Sequence, residues 1–170
     1  MNTTTQNDIG FLELQGDRKI SVFVKTPFDD GSPKISPDGR WVAYLSNESG
    51  RMEVYVQPFP GPEGKWQIST GGGVAPVWAR NGRELFYGSR PGEQLMVVDI
   101  TTQPTFRAGT PRVLLEEGFR LTARGQSANY DVTADGQRFL MVQGGDANLT
   151  QLNVVLNWFE ELLRRVPAAR

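Results

Sequence analysis

Apolar and polar positions along the chain alternate in short runs, and turn-forming residues interrupt them every few positions. Ile9-Gly10-Phe11-Leu12-Glu13-Leu14 and Ile20-Ser21-Val22-Phe23-Val24-Lys25 come first, and Trp41 to Tyr44, Glu53 to Gln57, Lys65 to Ser69, Leu85 to Tyr87 and Gln94 to Ile100 follow. Runs this short, rich in branched and aromatic residues, predict β-strands, because side chains two apart then share one face. A helical period emerges only near the end, where Asn157 and Glu160 have the form of a capping box ahead of Phe159, Leu162, Leu163 and Val166, until Pro167 stops the run.

Three segments align with one another: Ser36-Pro37-Asp38-Gly39-Arg40-Trp41-Val42-Ala43-Tyr44, Ala79-Arg80-Asn81-Gly82-Arg83-Glu84-Leu85-Phe86-Tyr87 and Thr133-Ala134-Asp135-Gly136-Gln137-Arg138-Phe139-Leu140-Met141. Each carries Asp-Gly or Asn-Gly at the same place, a strong hairpin signal that predicts a two-residue type I′ turn. Asp38, Gly39, Asn81, Gly82, Asp135 and Gly136 are therefore read as structural turn residues. Asp38 and Asn81 stand 43 positions apart, within the roughly 40–45 residues of a propeller blade. Asn81 and Asp135 stand 54 apart, and the excess is assigned to a polar loop from Glu117 to Ser127.

The expected fold is all-β: about three four-stranded antiparallel β-propeller blades, a partial propeller, with a short C-terminal helix. Its parts are a half blade over 9–27, blades over 31–70 and 73–116, an incomplete blade over 128–157 whose third strand is Leu152 to Leu156, and a terminal helix over 158–166.

Composition narrows function mainly by subtraction. With no His and no Cys, the chain has no imidazole or thiolate for a zinc site and no Ser-His-Asp or Cys-His arrangement. Lys and Arg number 18 against 19 Asp and Glu, so the basic balance of a nucleic-acid binder is missing. No run reaches the roughly 18 apolar residues of a membrane span. The N-terminal residues lack the form of a secretory signal. The reading is a cytoplasmic protein as the chain stands, or a periplasmic or extracellular one if it is part of a longer membrane protein.

The Ser36-Pro37-Asp38-Gly39-Arg40 hairpin, followed by Glu53-Val54-Tyr55-Val56 and by Lys65-Trp66-Gln67-Ile68-Ser69-Thr70-Gly71-Gly72-Gly73, resembles the WD-like repeat of TolB-type β-propellers. More narrowly, the chain is similar to the propellers at the C-terminal end of bacterial membrane Ser/Thr protein kinases. Tyr130-Asp131-Val132-Thr133, Asp135-Gly136-Gln137-Arg138-Phe139-Leu140 and Val154-Val155-Leu156-Asn157-Trp158 also have counterparts there. The resemblance implies a bacterial, kinase-associated propeller without the kinase's own catalytic part. Ala79-Arg80-Asn81 and Thr133-Ala134-Asp135 depart from it by losing the serine and proline.

Gly125-Gln126-Ser127-Ala128-Asn129 approaches a nucleophile elbow but ends in Asn and has no His to serve it, so no catalytic residue is assigned. Gly71-Gly72-Gly73 completes no phosphate-binding pattern and is read as a flexible link. Asp38, Asn81 and Asp135 are better explained as turn formers than as metal ligands, and neither metal nor cofactor is expected. Ser32, Lys34, Asn129 and Asp131 fall on the expected innermost strands, where polar groups would face a central channel, and are the candidate ligand residues. The expected function is a non-enzymatic interaction or scaffold module that displays loops to a protein or small ligand. The sensor portion of a receptor-like kinase and the accessory propeller of a peptidase are its rivals. Three blades leave two end faces open, which points to a homodimer closing one six-bladed ring.

Overall fold

The computed structural model describes residues 7–143 apart from 62, 91–93, 117–118 and 123–126. The expected strand at 152–156 and helix at 158–166 lie outside the described residues. Within them the chain is all-β, and every strand pair is antiparallel.

β1 (Ile9–Leu12) and β2 (Ile20–Val24) form a two-stranded sheet. The first large sheet has the sequential order β3 (Asp30–Ile35), β4 (Trp41–Ser46), β5 (Glu53–Pro58), β6 (Trp66–Gln67). In the second, β7 (Gly73–Trp78), β8 (Glu84–Ser89) and β9 (Leu95–Thr101) lie side by side. The far edge of β9 is shared by β10 (Arg107–Ala108) and β11 (Arg112–Leu115). The third has the order β12 (Phe119–Arg120), β14 (Phe139–Gln143), β13 (Tyr130–Val132). Among the described residues no sheet closes on itself.

The sheets pack face to face in chain order. Val42 and Tyr44 point from β4 toward β1 and β2, where they meet Ile9, Val24 and the ring of Phe59. Ala43 and Leu45, from the opposite face of β4, join Leu85, Tyr87, Val98 and Ile100 of the second sheet. Phe86, between Leu85 and Tyr87, faces the other way and packs with Tyr130 and Val132 of the third. Period-two alternation thus feeds two cores from one strand, which is why β4 and β8 are apolar nearly throughout. Trp41, Trp66 and Phe106 seal the rim between the first two sheets, with ring centroids 4.7–5.7 Å apart. Burial of each large apolar side chain in these layers contributes about 1.5–3 kcal/mol.

Four expectations need correction. The hairpins are not type I′: Gly39, Gly82 and Gly136 have φ of 71°, 70° and 71°, but Asp38, Asn81 and Asp135 keep negative φ. Each turn instead closes through a glycine N–H donated three residues back, to Ser36 O, Ala79 O and Thr133 O, all at 2.9 Å. That is a type I turn whose fourth residue is left-handed, a form that accepts Pro37 as its second residue. The segment from Glu117 to Ser127 is not only loop, since β12 lies within it and pairs with β14. The second sheet has five strands where four were expected, because the short β10 pairs with β9 ahead of β11. Gly71-Gly72-Gly73 is no flexible link either: Gly72 and Gly73 are buried, and Gly73 N donates to Met52 O at 2.9 Å.

Candidate functional site

β3, β7 and β13 are the first strands of the three larger sheets, and side-chain hydrogen bonds join them. The indole Nε1 of Trp78 on β7 donates to the carbonyl of Lys34 on β3 at 2.9 Å. The Tyr130 hydroxyl on β13 donates to the carbonyl of Ala75 on β7 at 2.8 Å. Tyr130 is buried, and burial pushes its hydroxyl pKa upward, so the proton needed for this bond is held.

A shared irregularity prepares these strands. Ser32 and Ala75 have φ of 51° and 55°, unusual for residues with a Cβ. Each lies where the ladder slips, between Gly31 and Lys34 and between Val74 and Val77. The following Pro33 and Pro76 have no N–H to leave unpaired there. Within the second bulge the Ala75 carbonyl takes the Tyr130 hydroxyl as its partner.

Between the three strands lies a depression of about 570 Å³ whose lining includes Lys34, Val77, Trp78, Arg80, Tyr130 and Asp131. Of the four residues expected to carry ligand contacts, the structure brings Lys34 and Asp131 to this one depression, and both are exposed. Ser32 and Asn129 are half-buried and lie outside its lining. Asn129 is tied instead through its backbone N–H to Leu121 O, at 3.1 Å.

At the hairpin tips the turn residues do one job three times. Asp38 Oδ1 accepts from the N–H of Arg40 at 3.2 Å, Asn81 Oδ1 from Arg83 at 2.8 Å, and Asp135 Oδ1 from Gln137 at 3.1 Å. The Ser36 hydroxyl donates to Asp38 at 2.6 Å and accepts from Trp41 N at 3.0 Å. Thr133 repeats both contacts with Asp135 and with Arg138 N. Thr133 therefore keeps the serine's role, whereas Ala79 is wholly buried and gives that role up to packing. Partial burial alone would raise the Asp38 pKa, but hydrogen bonds from Ser36 and Arg40 and the Arg40 charge bring it below 3.8. The Thr133 hydroxyl and the Gln137 N–H lower that of Asp135.

A second depression, of about 600 Å³, lies between the first two hairpin tips and is lined by Arg40, Arg80 and Arg83 together with Asp38, Thr101 and Gln103. Sequence reasoning misses it, because these arginines fall inside the turn repeat.

Sequence reasoning also passed over Glu53. This buried carboxylate accepts from the Ser69 hydroxyl and, at 2.9 Å, from Gly72 N. It locks the corner where the chain leaves the first sheet for the second. Ser127 is exposed. Among the described residues no group of three or more acidic side chains is gathered to hold a metal ion, and no helix is long and apolar enough to cross a membrane.

No family model matches the chain, and no curated protein matches it. Among solved structures it is similar to TolB from Acinetobacter baumannii, a β-propeller, with a TM-score of 0.50 and 15% sequence identity. The similarity covers 86% of this chain and 45% of that one, so the chain spans under half the length of its structural neighbour. The likeness supports a TolB-like fold.

Proposed function

We propose that the chain is a non-catalytic recognition module built from β-propeller blades, whose working surface is the inner-strand depression and the hairpin loops around it. One observation carries this reading: the Trp78–Lys34 and Tyr130–Ala75 bonds draw three successive first strands around a common polar opening. In a propeller the first strand of each blade lines the axis, and the sheets found here follow one another as blades would. Such a scaffold acts by rigid display, with strands fixing loops that make the contacts. Lys34 and Asp131 present opposite charges across the opening, a pattern that sets the orientation of a partner more than its affinity.

The reading includes a second copy of the chain. Among the described residues, Leu12, Ile20 and Val22 form an exposed apolar face at one end of the stack, and Leu140 and Val142 another at the opposite end. Exposure of 72% at Ile20 and 79% at Leu140 is costly for side chains of that size. Two chains related by a two-fold axis would cover both ends and complete one ring.

Affinity capture with the wild type and with a Lys34→Glu, Asp131→Lys pair tests the surface. Partners held by the wild type and lost by the pair support it; partners held equally by both contradict it. Turnover of ester, peptide or phosphoester substrates that Ser127→Ala abolishes would overturn the non-catalytic assignment.

A further inference from the structure

The second hairpin differs from its two copies in charge, and the differences gather in one place. Where the first hairpin has Pro37 and the third Ala134, the second has Arg80. Where they have Asp38 and Asp135, it has Asn81. In the first hairpin Arg40 Nε lies 2.9 Å from Asp38 Oδ2, so that guanidinium is neutralised at home. Asn81 keeps the turn, since its Oδ1 still accepts from Arg83 N, but it brings no negative charge to Arg83. Among the described residues neither Arg80 nor Arg83 has a carboxylate within ion-pair distance. Both line the depression of about 600 Å³ between the tips. Arg83 is fixed at its backbone, its N–H held by Asn81 and its carbonyl by Ile100 N at 2.7 Å.

We propose that Arg80 and Arg83 form a binding site for an acidic peptide segment of a protein partner, seated between the first two hairpin tips. Two uncompensated guanidiniums on a chain of net charge −1 create a local field opposite to that of the whole molecule. A guanidinium fork matches a carboxylate bidentately, so the chemistry favours Asp or Glu side chains. Size favours a peptide over a free anion, because an inorganic ion would leave most of the depression empty. Thr101, Thr102 and Gln103 on the same lining supply polar side chains for a peptide backbone. The site rests on the recognition-module reading and assigns that module one class of partner.

Fluorescence anisotropy of a labelled Asp/Glu-rich octapeptide, titrated with the full chain at low and at physiological salt, tests it. The acidic peptide binds, more weakly as salt rises, and its Asn/Gln counterpart does not. Arg80→Gln with Arg83→Gln weakens binding about tenfold, whereas Lys19→Gln, on the loop between β1 and β2, leaves it unchanged. Asn81→Asp gives the sharper test: it keeps the turn acceptor and the melting temperature, places a carboxylate beside Arg83 as Asp38 stands beside Arg40, and weakens binding about threefold. Equal binding by the double arginine variant, equal binding of the neutral peptide, or no binding by the wild type would each overturn the site. Displacement of the peptide by inorganic phosphate at the same concentration as unlabelled acidic peptide would make it a general anion site and also overturn the proposal. If the Lys34→Glu, Asp131→Lys pair loses a captured partner that the double arginine variant retains, the recognition reading stands and this site falls.

Discussion

The indole Nε1 of Trp78 donates a 2.9 Å hydrogen bond to the carbonyl oxygen of Lys34, reaching from the first strand of one sheet to the first strand of the sheet before it. Tyr130 makes the corresponding reach to Ala75 one sheet later. These two bonds tie together the first strands of the three larger sheets, and the polar depression lies between them.

Removing either donor should therefore loosen the stack. Trp78→Phe and Tyr130→Phe are each expected to destabilise by about 1–3 kcal/mol, the cost of leaving a carbonyl without its partner. Tyr130→Phe isolates that cost because it removes one oxygen and little volume. Chemical denaturation with an unchanged m-value checks both variants, and a change within error for Tyr130→Phe would show that the bond does not couple the sheets.

Acid should open the hairpins selectively. Asp38 and Asp135 have folded-state pKa values below the ordinary 3.8, so each contributes stability that is present above that value and lost as pH falls through the lower folded one. Asn81 does not titrate. Amide exchange or chemical-shift titration should show the N–H of Arg40 and Gln137 losing their acceptors at acid pH while that of Arg83 keeps its own. A common midpoint for all three amides would contradict this assignment.

Two glycines should fail for different reasons. Gly39 has φ of 71° with open space around it, so Gly39→Ala costs about 1–2 kcal/mol from backbone strain alone, and Gly39→Asn less. Gly73 has no positive φ, but an added Cβ would fall onto Ser69 Oγ and within 3.0 Å of Val54 Cγ2. That would push Ser69 off Glu53 and break the locked corner, so Gly73→Ala should lower the melting temperature more than Gly39→Ala does. The reverse order would mean that this corner yields more easily than its packing implies.

The hairpins were legible because Asp-Gly and Asn-Gly advertise a turn locally, and the apolar runs on either side give the strands their alternation. The turn type was not, because the same dipeptides fit two geometries and the choice lies with flanking residues such as Pro37. β10 and β12 were invisible for another reason: two residues carry no period, and Phe119 and Arg120 become a strand only because β14 offers them an edge. Repeat alignment puts Lys34 and Asp131 on the first strands of their repeats, but their meeting at one depression depends on how whole sheets stack. Glu53 looked like one more strand residue until Ser69 and Gly72 closed on it. The arginine pair left a signal that repeat alignment contained, namely Asn81 standing where its copies have Asp.

In the proposed assembly the described sheets are blades of an open arc, completed by a second copy that covers the apolar ends. Multi-angle light scattering of the full chain at micromolar concentration tests it most directly, alongside a Leu12→Glu, Ile20→Lys pair that makes the exposed face of β1 and β2 polar. The account predicts twice the chain mass for the wild type and a single chain mass for a pair that keeps its β-sheet circular dichroism. A wild-type monomer that melts cooperatively would contradict it.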